Sequence, residues 1–277
     1  MTAGVYITTR KDGSIYYRVS ITFKNKHISL GSFNNEAEAG SVYEEAFLIL
    51  FKEKHNINTD ALTTSYNNCT SAISFDKFIA LINYRDNNIY IKTPIYLCHR
   101  YFLYFMSPEK ILYFNVDDLF YYSNHKILSR GGHYYVNDYG MQVSVLSRYG
   151  IKPHAVAGRD YIFRNGNYND FRYENIQVIN RYSGVARIIK NGRNFYKTRI
   201  HIIGDYIIGT YNTETEAAIA YNKAADMIKD YVDINFQDNY IENISRIEYA
   251  ATYNRIRISK NYINYIEKLK LDKNNNP

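Results

Sequence analysis

The sequence predicts an α+β protein. Two small modules, each of three antiparallel strands and one helix, flank a central segment of short strands, and helices close the chain. Three observations lead there. A segment near the N-terminus recurs after residue 180. Each copy changes partway along from a two-residue to a helical hydrophobic period. The stretch between the copies holds short aromatic runs separated by turn residues.

The first copy, residues 4 to 46, reads GVYITTRKDGSIYYRVSITFKNKHISLGSFNNEAEAGSVYEEA, and the second, residues 184 to 225, reads GVARIIKNGRNFYKTRIHIIGDYIIGTYNTETEAAIAYNKAA. Gly4-Val5 aligns with Gly184-Val185, Tyr17 with Tyr196, Ile21 with Ile200, Leu30-Gly31 with Ile208-Gly209, Tyr43 with Tyr221 and Ala46 with Ala224. The offset falls from 180 to 178 along the copies, a change that loop deletions absorb. Tyr17, Val19, Ile21 and Phe23 alternate with Arg18, Ser20, Thr22 and Lys24, the pattern of a strand with one apolar and one polar face. His27-Ile28-Ser29-Leu30 repeats it. In the second copy Thr213 and Glu216 have capping-box spacing ahead of Ala217, Ala220, Tyr221, Ala224 and Ala225. Each helix should therefore cover the apolar side of its sheet and leave the other side open. That open side should carry Arg10, Arg18, Ser20, Thr22, Lys24 and His27 in the first copy, and Arg187, Lys197, Arg199 and His201 in the second.

Between the copies, residues 53 to 71 read as a polar linker, and Phe75, Phe78, Ile79 and Ile82 as a short amphipathic helix. IYIKTPIYL, YFLYFM, ILYF and HYYVND read as strands, residues 117 to 122 as a helical turn, and Gly131-Gly132 as a hairpin turn. Beyond the second copy, apolar residues from Ile241 to Leu269 recur at the spacing of one or two amphipathic helices, packed on the body or on a partner.

The formal net charge is +7, which points toward an anionic partner, most often nucleic acid. The 31 tyrosines read first as coding bias, alongside abundant Asn, Ile and Lys. Cys69 and Cys98, the only cysteines, do not make a Cys-type zinc site or a disulfide framework, and a reducing cytoplasm fits them. The N-terminal residues have no apolar signal-peptide core, and no run has the length of a membrane span.

On the anchors quoted above, together with the Asp233-Ile234-Asn235-Phe236 close, the repeated module resembles the AP-two/ERF DNA-binding domain. That family binds DNA with its sheet face. Tyr6 and Ala186 stand where an Arg usually follows Gly-Val, and Ser29 or Ile207 where a Trp usually precedes Leu-Gly. Backbone binding is therefore expected ahead of base readout. Residues 89 to 180 resemble phage and mobile-element HNH endonucleases that carry such a module after the nuclease, through Asp160-Tyr161, Asn165-Gly166-Asn167, Asp170-Phe171-Arg172 and Asn175-Ile176 in that order. The resemblance implies a degenerate ββα-metal core. It also implies the divisions 1–52, 53–88, 89–182, 183–237 and 238–277, and a cytoplasmic setting in a bacterial or phage-infected cell.

In that family a carboxylate and an amide oxygen hold one divalent metal, usually Mg²⁺, and an adjacent His activates water. Asp160 and Asn175 match the metal-ligand positions, and Tyr161 occupies that of the general base. With an ordinary pKa near 10, tyrosine is a poor base at neutral pH, and losing a base forfeits about 10²–10⁴ in rate. Met141-Gln142 stands where many members carry Met-His, and His125, His133 and His154 are the substitutes in the neighbourhood. Structural roles compete for the same residues: Asp160 pairing with Arg159 or Arg172, and Asn175 capping a helix. The expectation is a protein that binds double-stranded DNA, needs no cofactor for binding and has no catalytic residues. One alternative is a Mg²⁺-dependent nicking endonuclease with a relocated base. Another is an inhibitor or regulator that binds a host nucleoprotein or defence nuclease.

Overall fold

The structure, a computed structural model, describes residues 3–51, 72–153 and 155–275. The linker reading and Cys69 lie outside the described residues, as does His154. The chain is mixed α+β and divides into two compact units, residues 1–145 with 165–176, and residues 146–164 with 177–277. No helix among the described residues is long and apolar enough to cross a membrane.

The first unit opens with the first repeat. Val5–Thr9 (β1), Ile15–Phe23 (β2) and Lys26–Phe33 (β3) form an antiparallel sheet in that order, followed by helix α1, Glu36–Phe51. Asn35 caps α1: its Oδ1 accepts the Ala37 N–H at 2.7 Å. Val5, Val19, Ile21, Ile28 and Leu30 are buried beneath Ala39, Val42 and Ala46. The same core takes in Phe78, Ile79, Leu81 and Ile82 of helix α2, Phe75–Asn87. The amphipathic pattern expected there understates its burial, because every residue from Phe78 to Tyr84 is buried. Leu103 and Phe105 extend the core into a second sheet, β4 (Ile95–Leu97), β5 (Tyr101–Ser107) and β6 (Lys110–Asn115). After a helical turn and short helix α3, Leu119–Asn124, come β7 (Ile127–Arg130), β8 (His133–Asp138) and β9 (Met141–Ser144). Gly131 and Gly132, with φ of 57° and 81°, make the hairpin turn expected of them.

Residues 165–176 return to this unit as a plug. Phe171 stacks on Phe114 at 5.4 Å, and Phe114 in turn packs on Phe102 and Tyr122. Tyr113 N–H donates to Asn169 O at 3.0 Å, and Phe171 N–H to Tyr113 O at 2.8 Å, which extends the β6 ladder.

Tyr161–Phe163 (β10) pairs with Ile176–Val178 (β11), of which Gln177 and Val178 belong to the second unit. A ββα core would follow this ribbon with a helix. Here the chain runs by a loop into β12, Val185–Lys190, because Gly184 already belongs to the repeat. β12, β13 (Arg193–His201) and β14 (Asp205–Tyr211) form the second three-stranded sheet, and helix α4, Glu214–Ile228, covers it. Thr213 Oγ1 caps α4 by accepting the Glu216 N–H at 3.1 Å, while a Glu216 carboxylate oxygen accepts from Arg255 at 3.3 Å. The full reciprocal capping box lies instead at Ser245 and Glu248, ahead of α5, Arg246–Arg255.

The C-terminal segment packs on the body. Ser259 N–H donates to Ile208 O at 2.8 Å and its hydroxyl to Ile207 O at 2.6 Å, which covers the edge of β14. In α6, Lys260–Asn275, Tyr262 is fully buried and its hydroxyl donates to Ala224 O at 2.8 Å.

Candidate nucleic-acid interface

Register decides which residues share the open side of each sheet, because directly paired residues face the same way. In the first repeat Tyr6 pairs with Arg18, Thr8 with Tyr16, Arg18 with Ser32, Ser20 with Ser29 and Thr22 with His27. Val5–Val19 and Ile21–Ile28 form the buried side. Arg18, Ser20, Thr22 and His27 therefore lie on the open face as expected. Arg10 joins them at the edge, 5.3 Å from the Tyr16 ring and donating to Asn34 Oδ1 at 3.0 Å. The paired face positions include no carboxylate.

Lys24 does not belong to this face. It is a turn residue with a φ of 45°, and its ammonium donates to Asn88 Oδ1 and, at 3.0 Å, to Arg85 O, at the C-terminal end of α2. The strict alternation that placed it outward stops at Phe23, where the hairpin begins to turn.

In the second repeat Ala186 pairs with Lys197 and Lys190 with Arg193, whereas Val185 pairs with buried Thr198 and Arg187 with Tyr196. Lys197, Arg199 and His201 are on the open face. Arg187 is exposed but falls on the parity of the helix-covered side, because its neighbours Ala186 and Ile188 take the open positions. Lys190 and Arg193 add two cations to the open face that sequence reading missed. Stepping back by twos from Lys197 along β13 would have found Arg193, and its partner is Lys190. Asp205 partly neutralises this face. It accepts from His201 Nδ1 at 2.9 Å and from Arg199 Nη1 at 3.4 Å, and the His201 bond holds its carboxyl below the usual range.

The residues of the expected metal site have other partners. Asp160 Oδ2 accepts from Arg159 Nη2 at 2.7 Å and from Val156 N–H at 2.8 Å, while Oδ1 accepts from Asn180 Nδ2 at 3.1 Å. Burial alone would raise its pKa, but the Arg159 pairing and the other donors hold it below the usual carboxylate value. Asn175 caps no helix. Its Oδ1 accepts the Asn165 N–H at 2.9 Å and its Nδ2 donates to Asp170 O at 2.8 Å, which staples the plug loop. As they stand, these oxygens do not fit a divalent cation, since protein donors, one of them a guanidinium, already engage them. Among the described residues no group of three or more His, Cys, Asp or Glu is placed to hold a metal.

Tyr161 is 7% exposed and packs edge-on against Phe163 at 5.8 Å. The ring at the base position is thus a core side chain. His125 stacks on Tyr121, with Nδ1 2.9 Å from Tyr121 O and Nε2 3.5 Å from Asp138 Oδ1. His133 sits exposed at the start of β8.

The second unit also contains an open cleft of about 950 Å³. Arg159, Asp160 and Asn180 line it together with Arg199, His201 and Asp205 of the sheet, and Tyr182, Tyr221 and Phe236 form its aromatic lining. Lys152 also lines it. Its ammonium donates to Ser183 Oγ and Asn239 Oδ1, each at 2.8 Å, and burial lowers its pKa.

No protein-family model, curated protein or solved structure matches the chain.

Proposed function

We propose that this chain binds double-stranded DNA through its phosphate backbone, using the open faces of its two repeated sheets, on a scaffold that performs no nuclease chemistry. The observation that carries the reading is the shared polarity of the repeats. Each buries one side of its sheet under a helix and leaves cations on the other: Arg10 and Arg18 in one, Lys190, Arg193, Lys197 and Arg199 in the other. Short antiparallel sheets fit a DNA groove, and Arg, Lys and hydroxyl side chains suit phosphate oxygens. Two such faces on one chain raise affinity by effective concentration. The net charge of +7 and the resemblance of each repeat to the AP-two/ERF domain support the same partner. The HNH-like stretch contributes its loop and ribbon as structure, with Asp160 tied to Arg159 and Tyr161 buried.

The test is fluorescence anisotropy on a short duplex from about 50 to about 200 mM salt, where each phosphate contact contributes about −0.9 to the log–log slope. Binding that weakens steeply across this range is expected. Absence of binding at the low-salt end would overturn the reading and favour a protein partner. In parallel, wild type, Tyr161→His and Asp160→Ala are incubated with supercoiled plasmid and Mg²⁺. No nicking is expected from any of them. Wild-type nicking that Asp160→Ala abolishes would establish a nuclease instead.

A further inference from the structure

The cleft of the second unit opens onto the same sheet face that carries the proposed duplex contacts, since Arg199 and His201 belong to both. Its lining combines two chemistries that a purely electrostatic DNA grip does not need. Arg159, Arg181 and Arg199 supply guanidinium groups, and the carboxylates of Asp160 and Asp205 hold the first and third of these in place. Tyr182, Tyr221 and Phe236 supply rings. Paired arginines of this kind stay oriented while keeping donors free for a phosphate. Aromatic rings beside such donors are the usual platform for an unstacked base, because every base has a π-face. The volume of about 950 Å³ falls within the range of small-molecule sites and exceeds the needs of a lone phosphate.

We propose that this cleft receives one unpaired nucleotide of a DNA strand whose duplex lies on the neighbouring sheet face, with its phosphate against the arginines and its base against the aromatic lining. The inference rests on the duplex-binding reading and adds to it a preference for duplex ends or interruptions.

Anisotropy titrations compare three labelled probes: a blunt duplex, the same duplex with a single-nucleotide overhang, and that duplex with an abasic overhang. The overhang should tighten binding about tenfold, the size of one base-on-aromatic stacking contact. The abasic probe should recover only a minor part of that gain. Phe236→Leu keeps apolar volume but removes the ring, and Arg181→Ala removes an exposed cation. Each should erase most of the preference and leave blunt-duplex affinity within about twofold. Equal binding of blunt and overhang probes by wild type would overturn the cleft assignment and leave the duplex reading intact. An abasic overhang as good as a full nucleotide would overturn the base-stacking role. A chain that binds no duplex at all would overturn both the reading and the placement argued from it.

Discussion

Tyr221 packs so closely over Gly184 that a methyl group on that glycine would overlap its ring and also the Arg199 carbonyl oxygen. Tyr43 stands over Gly4 in the same way, with the Ser20 carbonyl oxygen as the second obstacle. In both repeats the middle strand is irregular at this point, between Val19 and Ser20 and between Thr198 and Arg199. There Ser20 N–H donates to Gly4 O at 3.0 Å, and Arg199 N–H to Gly184 O at 2.8 Å. One contact thus links the Gly-Val opening, the bulge of the middle strand and the helix tyrosine, three features that recur in the sequence.

Replacement of Gly184 by alanine should destabilise the second unit by about 3 kcal/mol, the sum of a left-handed backbone (φ 69°) and the overlap. Gly192→Ala is the matched control, because its φ is 74° but nothing lies within 4 Å of a added methyl. It should lower stability by only about 1 kcal/mol. Urea denaturation of both variants separates packing from backbone strain. Equal losses would show that the Tyr221 contact contributes nothing.

Asp170 is 2% exposed and accepts from Arg172 Nε and Nη2 and from Asn165 Nδ2. Burial pushes its pKa up, but the Arg172 bonds prevail and hold it below the usual value. A carboxyl depressed in the folded chain stabilises fully above its unfolded pKa of about 4, and that contribution fades as pH falls through the folded value. Asp170→Asn should therefore lower stability at neutral pH by about 2–4 kcal/mol. The gap from wild type should narrow as both are acidified below pH about 4 in denaturant titrations.

Single alanine variants distinguish face from turn. Arg18→Ala, Arg193→Ala and Lys197→Ala should each weaken duplex binding and reduce the salt slope by about 1. Lys24→Ala should leave both unchanged, while the loss of its bonds to Arg85 O and Asn88 lowers the melting temperature. A Lys24 variant that behaves like the Lys197 variant in anisotropy would place that ammonium on the DNA.

Asp205 is the carboxylate on the second open face, bonded to His201 and Arg199. Its conversion to Asn removes the negative charge but keeps an oxygen that can accept from Arg199, and should tighten duplex binding about three- to tenfold at low salt, with little change near 1 M where screening is short-ranged. Weaker binding would mean that Asp205 orients Arg199 and His201 more than it competes for them.

The sequence by itself determined the repeat, its sheet-then-helix order and the covered side of each sheet. These are carried by residues whose type is the constraint: a glycine under a tyrosine ring, β-branched residues at every second position, alanines on a helix against a sheet. The Arg18, Thr22 and Lys197 placements follow from the same alternation. Only the tertiary structure decided the rest. Lys24 left the open face for the C-terminal end of α2 because a hairpin turn breaks the two-residue period, and Arg187 lost the open face because register, set by the partner strand, fixes parity. Asp160 and Asn175 share residue types with metal ligands, yet their oxygens go to Arg159, Val156, Asn180 and Asn165. Residue type limits what a side chain can bind, whereas the donors that folding brings within about 3 Å decide what it does bind.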